Sequence, residues 1–282
     1  MYKTKIDWCD STWNPVTGCL HGCEYCYARR IAYRFAGGFD FVSHDKYDHE
    51  FKAYIHALDD PGKMNDGRSA VYPFYFEPTL HRYKLDEPQR WKKPRTIFVC
   101  SMADLFGDWV PDEWILEVFK ACDAAPWHRY IFLTKNPGRL CKMASATQVS
   151  LWNVDHQDGG PHPQTNEYKD IPLLPVRENW WFGSTIDNRH AKCFHGDFTW
   201  NTFTSIEPLT EFMDMGLGSF GSDRWTIIGA ETGKRKGKIV PKREWVENIL
   251  EAAAITGVKV FMKESLRELM DNDFRQEYPW EV

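Results

Sequence analysis

Three thiols lie within eight residues of the stretch TGCLHGCEYCYARR: Cys19, Cys23 and Cys26, separated by three residues and then by two, with Tyr25 directly before the last. Thiolate sulfur is a soft ligand, and in a reducing compartment clustered thiols point to zinc or iron–sulfur chemistry before a disulfide. Structural zinc closes its coordination with four ligands, commonly as two pairs. His21 inside the loop could serve as a fourth donor, yet no second Cys or His pair has zinc-finger spacing. An iron–sulfur cube held by three thiolates leaves one iron open, and an open position is what a catalytic site keeps.

The elements that must carry such a site follow from hydrophobic pattern. From residue 96 onward six short apolar runs recur: TIFVCSM, RYIFLTK, NWWFGSTI, NTFTSIE, WTIIGAE and VKVFMKE. Each is nearly continuous in its hydrophobicity, as a strand buried on both faces of a parallel sheet must be. Each ends in polar residues: Ser101 and Asp104, Thr134 and Lys135, Ser184 and Asp187, Glu207, Glu231, and Lys263 with Glu264. Between them, PDEWILEVFKACDAA places Trp114, Ile115, Val118, Phe119 and Cys122 on one helical face, with acids in its first turn. KREWVENILEAAAITG does the same with Trp245, Ile249, Leu250 and Ala253, and Gly257 is placed to cap it. Strand, polar tip and helix in repetition predict an α/β fold, a partial (β/α) barrel of about six parallel strands whose site lies at their carboxyl ends. The expectation is one domain over residues 1–282, with irregular insertions at about 37–82 and 145–178 that read as lids, binding loops or surface decoration.

Bulk composition narrows the functional classes. With 43% hydrophobic and 27% charged residues the chain is an ordinary globular one. Thirteen tryptophans are enough to line a pocket as well as fill a core. A net charge of −5 gives no global attraction to nucleic acid or an anionic membrane, so any such contact needs a local patch. The start MYKTKIDWCD has no apolar core of a signal peptide, and no run of about eighteen apolar residues could span a bilayer. A cytoplasmic location without membrane partners is expected, and a monomer or weak oligomer. Of the other cysteines, Cys9, Cys100, Cys122, Cys141 and Cys193, none forms a second cluster motif. Cys122 reads as core, and Cys100 as a buried thiol at a strand end, where a hydrogen-donating thiol is the alternative.

At this point the sequence resembles a family. CLHGCEYC is similar to the signature of the radical S-adenosylmethionine (SAM) superfamily, Cys-x3-Cys-x2-Cys with an aromatic before the third cysteine. More narrowly, WNPVTGC, CYARR, LTKNPGRL, SIEPL, IIGAETGKRKGKIVP and VFMKES resemble a phage and bacterial family of radical-SAM-like proteins of unassigned function, over Trp13 to Ser265. The resemblance implies a full or partial barrel with the motif after the first strand. It implies that Cys19, Cys23 and Cys26 bind three irons of a 4Fe-4S cluster, whose fourth iron chelates the amino and carboxylate groups of SAM. It implies a flavodoxin- or ferredoxin-like reductant as partner, and a bacterial host cytoplasm if the gene is phage-borne.

Against that resemblance, Tyr25 would lie on the adenine of SAM, with a core aromatic as the rival reading. Relatives commonly carry two glycines and a glutamate at the second strand tip; here CSMADLFGD offers Ser101 and Asp104 instead. Lys135 is expected to pair with the methionine carboxylate. Ser184, Asp187 and Asn188 are expected at the ribose hydroxyls, and Glu231, between glycines, at the adenine or methionine. Glu207 and Lys263 are left for substrate or proton transfer. The basic stretch GKRKGKIVPKR, with Lys234, Arg235, Lys236 and Lys238, reads as a phosphate clamp or as a solvated loop. The expected substrate is a nucleobase, such as a thymine derivative in hypermodified phage DNA, undergoing rearrangement or carbon–carbon bond formation, and flipped out of a duplex to be reached. The alternatives are a radical SAM enzyme acting on a peptide or small metabolite, and a zinc-stapled nucleic-acid-binding module without catalysis.

Overall fold

The computed structural model describes residues 4–36, 46–64, 66–144, 150–153, 174–216 and 218–281. Of the two expected insertions, residues 37–45, 65, 145–149 and 154–173 lie outside the described residues. The chain divides into two compact units, one over Cys9–Phe132 and one over Leu133–Val282 that also takes in Lys5–Trp8.

The first unit starts with β1 (Ser11–Trp13) and β2 (Val16–Thr17), followed by α1 (Tyr27–Phe35). Then come β3 (Lys46–Asp48), β4 (Ala53–Leu58), β5 (Thr79–His81), the short α2 (Glu87–Arg90), β6 (Thr96–Val99), α3 (Asp112–Asp123) and β7 (Arg129–Thr134), whose last two residues open the second unit. β1 pairs with β6, and β6 with β7, all parallel. α3 buries Trp114, Ile115, Val118, Phe119 and Cys122, the face that its sequence period predicts. Phe119 meets Phe106 and Phe132 at centroid distances of 6.3 and 5.7 Å.

Residues 46–81 are more regular than expected: β3, β4 and β5 join β2 in a four-stranded sheet ordered β2-β5-β4-β3. Its buried positions hide polar residues. His81 is wholly buried, with its ring nitrogens 2.9 Å from Thr17 Oγ1 and 3.0 Å from Tyr83 Oη. His56 bonds Glu77 at 2.7 Å and stacks on Phe74 at 3.5 Å. Buried polar groups that find partners are tolerated in a core, so hydropathy alone does not reveal these strands.

The second unit continues with α4 (Pro137–Met143), β8 (Ser150–Asn153), β9 (Trp180–Ile186), β10 (Lys192–His195), β11 (Asn201–Ile206), β12 (Trp225–Ile228), α5 (Arg243–Thr256), β13 (Lys259–Met262) and α6 (Arg267–Met270). β9, β11, β12 and β13 pair in parallel, so their carboxyl ends share one edge. β8 and β10 form a separate antiparallel pair. α5 buries Val246, Ile249, Ala252 and Ala253 and ends at Gly257 in the left-handed conformation, φ +73°. Trp245 and Leu250 pack on the same core only in part. Trp225 gathers Trp8, Trp181 and Trp280 around it at 5.2–6.5 Å, so this share of the tryptophan excess fills core.

Together the strands make an α/β partial barrel of seven parallel strands in the order β1-β6-β7-β9-β11-β12-β13. The seventh is β1, too short at three residues to show as a hydrophobic run. Its position ahead of the cysteines matches the order that the resemblance implies.

Candidate metal centre and strand-end groups

The three cysteines occupy the turn between β2 and α1. Gly18 opens it with φ +88°, and a Cβ there would lie 2.1 Å from the Glu77 carbonyl oxygen. Only glycine allows so close a backbone approach. The Gly18 amide donates to the Met102 carbonyl at 2.9 Å and the Cys19 amide to that of Phe76 at 3.2 Å. Cys26 closes the turn as the N-cap of α1, its sulfur accepting from the Arg29 amide at 3.3 Å. A helix N-terminus favours negative charge, and thiolate is the form that ligates metal. All three thiols are half-exposed and unpaired by disulfides. Burial pushes Cys19 up to about 12, opposed by the His21 amide and reinforced by Asp104, Cys23 and Cys26. An iron at this sulfur would reverse that balance.

The loop after β6 is fastened to this turn. Cys100 leaves the strand with φ +58°. Asn14 Oδ1 accepts from the Met102 amide at 3.0 Å and bonds Ser101 Oγ at 3.1 Å, while Tyr27 Oη donates to the Ser101 carbonyl at 2.7 Å. Asp104 is buried; one oxygen accepts from the Phe106 amide at 3.0 Å and the other bonds His21 Nε2 at 2.7 Å. The His21 ring stands edge-on to Trp109 at 4.9 Å. Trp109 in turn fills the space where a side chain on Gly107 would sit, 2.4 Å from its Cβ position. So Cys19, Cys23, Cys26, half-buried Tyr25, Ser101 and Asp104 belong to one assembly in the first unit. Asn14, His21, Tyr27 and Trp109 complete it. Their partners are 74 to 88 residues away along the chain, or aromatic neighbours that no spacing rule picks out.

In the second unit the predicted strand-end residues meet in two pairs, and Glu231 takes its partner from the basic stretch. Lys135 Nζ bonds Asp187, whose other oxygen accepts from Asn188 Nδ2 at 2.7 Å. Lys263 pairs with Glu207. Gly229 makes room for that pair, since a Cβ there would approach both side chains at 2.9 and 3.3 Å. Glu231, almost fully buried, takes both arms of Arg235 at 2.7 and 2.8 Å. A buried carboxylate without such a partner would be costly. Ser184 is fully buried and its hydroxyl accepts from the Phe194 amide at 2.8 Å. Arg235 thus turns inward, whereas Lys234, Lys236 and Lys238 are exposed. The remaining buried thiols are held neutral by desolvation. Cys100 and Cys141 are pushed up to about 12, and Cys122 and Cys193 well above the usual thiol range.

Among the described residues, no three or more His, Cys, Asp or Glu side chains are already gathered around a single-ion position. A cube asks for a different arrangement, one thiolate on each of three irons. The donor set fits that in kind: three half-buried thiols on one turn, none of them in a disulfide, with a helix N-terminus behind the third. Among the described residues, no helix is long and apolar enough to cross a membrane.

The family described as "Protein of unknown function (DUF5131)" matches residues 3–272. No curated protein matches the chain. Among solved structures, spore photoproduct lyase complexed with dinucleoside spore photoproduct is similar over 93% of this chain and 79% of its own, at 9% identity and a TM-score of 0.49.

Proposed function

We propose that this chain, which belongs to the DUF5131 family of proteins of unknown function, is a radical SAM enzyme whose cluster is held by Cys19, Cys23 and Cys26. The observation that carries the reading is the cysteine turn itself. Three thiols at the spacing of the superfamily signature follow the first strand of a partial barrel, and the third caps α1 through its sulfur. Bound there, a 4Fe-4S cluster supplies the one-electron chemistry that opens SAM and removes a hydrogen atom from a substrate.

The chain's own residues hold and orient. Gly18 and Asn14 fix where the turn starts relative to the loop after β6, and the His21–Asp104 bond fixes its middle. Tyr25 offers its ring to adenine, and Ser101 and Asp104, in the loop bonded to Asn14 and His21, are proposed to take the methionine end of SAM. In the second unit Lys135, Ser184, Asp187, Asn188 and Glu231 keep their proposed roles toward SAM. The Glu207–Lys263 pair keeps its role toward the substrate, where an ammonium beside a carboxylate can pass a proton. The Lys135–Asp187 and Lys263–Glu207 pairs are partly exposed and are ones that an incoming carboxylate or hydroxyl could open. A reducing flavodoxin- or ferredoxin-like protein is the proposed electron donor.

The proposed substrate is a nucleobase, for instance a thymine derivative in phage DNA. The support is the resemblance to phage proteins and the exposed Lys234, Lys236 and Lys238, which suit phosphate. Metal and sulfide analysis of anaerobically purified protein tests the cluster. About four irons with matching sulfide per chain are expected; stoichiometric zinc without sulfide would replace the reading with that of a zinc staple.

A further inference from the structure

Helix α1 is turned unusually. It buries only its small residues, Ala28 and Ala32, against Tyr72, Phe76 and Met102. Its large residues are exposed, Tyr33 at 59% on the side away from the alanines, and Phe35 at 53% and Ile31 at 38% on another flank. Tyr75, from the loop before β5, is 50% exposed and reaches Tyr33 at a ring distance of 5.4 Å. A surface helix normally hides its aromatic residues, and an exposed ring pair such as Tyr33 with Tyr75 is the kind of apolar surface that marks an interaction site. Here it is interleaved with positive charge. α1 carries no Asp or Glu, and Arg30 and Arg34 are exposed, with no carboxylate partner among the described residues. The Arg34 guanidinium lies 5.4 Å from the Phe35 ring centroid.

We infer that the outer face of α1, with Tyr75, is a platform for single-stranded nucleic acid. Rings that stack on bases beside guanidiniums that meet phosphates are the two components of sequence-tolerant single-strand binding. A protein partner matched by charge alone would need the arginines but not a pair of solvent-facing rings. The chain's net charge of −5 makes the absence of acids on this helix a local feature rather than a global one. The platform begins at Cys26, the N-cap of the same helix, so a strand held here runs beside the cysteine turn. The inference rests on the proposed function only in treating that strand as the substrate; binding itself needs no cluster.

The test is fluorescence anisotropy of a labelled oligo(dT) of about twelve nucleotides, with anaerobically reconstituted protein and with the cluster-free chain. Binding to both is expected, weakening as salt rises. Tyr33→Ala and Tyr75→Ala should each weaken it about tenfold, and Arg30→Gln with Arg34→Gln should flatten the salt dependence by one to two phosphates' worth. Leu116→Ala, an exposed apolar residue on α3, should change nothing. Unchanged melting temperatures will show that the variants fold. Binding that survives both tyrosine substitutions overturns the platform, as does poly-glutamate competing as well as the oligonucleotide, which would mark the face as a dock for acidic proteins. Strand binding without a cluster signal would count against the enzyme and leave the platform standing; a SAM-responsive cluster without strand binding would do the reverse.

Discussion

His21 Nε2 and Asp104 Oδ2 meet at 2.7 Å, joining the middle of the cysteine turn to the loop that follows β6. Both side chains are mostly buried, so the bond is poorly replaced by water. Removing one partner of such a bond costs about 1–3 kcal/mol, because the other is left unsatisfied. Asp104→Ala should therefore loosen the turn and lower iron uptake on reconstitution, with the overall fold intact by circular dichroism. Asp104→Asn, which keeps an acceptor, should lose much less. Equal iron uptake by Asp104→Ala and the parent would show that the bond positions nothing.

Cys26 has two jobs that substitutions can separate. As a ligand it needs sulfur; as the N-cap of α1 it needs only an acceptor for the Arg29 amide. Serine is a good N-cap and alanine a poor one, a difference of about 1 kcal/mol. Both Cys26→Ser and Cys26→Ala should lose the cluster, while only Cys26→Ala should speed hydrogen exchange at the first turn of α1. A Cys26→Ser protein with its full iron content would remove Cys26 from the ligand set.

His81 gives the first unit a pH dependence of known sign. Burial, aided by the charge of Lys84, holds the ring well below the usual histidine range. The folded chain keeps it neutral, whereas the unfolded chain takes up a proton as pH falls below about 6.5. The stability from this group is thus complete above that pH and lost progressively below it. The loss is at most about 1.4 kcal/mol per pH unit. His128, also shifted downward by burial, adds in the same direction. Urea unfolding at pH 7.5 and 5.5 should show a lower midpoint at the acid value, and His81→Gln should shrink that difference. A difference that His81→Gln leaves intact would place the acid sensitivity elsewhere.

What the sequence showed and hid follows from separation along the chain. The six apolar runs became β6, β7, β9, β11, β12 and β13, because strands buried on both faces have few charged positions to blur them. The inward face of α3 and the Gly257 cap of α5 were legible for the same local reason. β4 and β5 were not, since His56, Thr79 and His81 are buried by virtue of partners elsewhere. In the site, the cysteine spacing is local and stood out. The Asn14, His21 and Tyr27 contacts reach residues in the loop after β6, and no pattern along the chain announces them. The inverted face of α1 was likewise hidden. Which side of YARRIAYRF turns inward is set by packing on Tyr72, Phe76 and Met102, distant in sequence.

The central claim is tested most directly by incubating anaerobically reconstituted, dithionite-reduced protein with SAM, recording its electron paramagnetic resonance spectrum and assaying 5′-deoxyadenosine. A cluster signal that changes on adding SAM, with 5′-deoxyadenosine formed and both effects lost in Cys23→Ser, is the predicted result. A cluster-loaded protein whose spectrum ignores SAM and which forms no 5′-deoxyadenosine would contradict it.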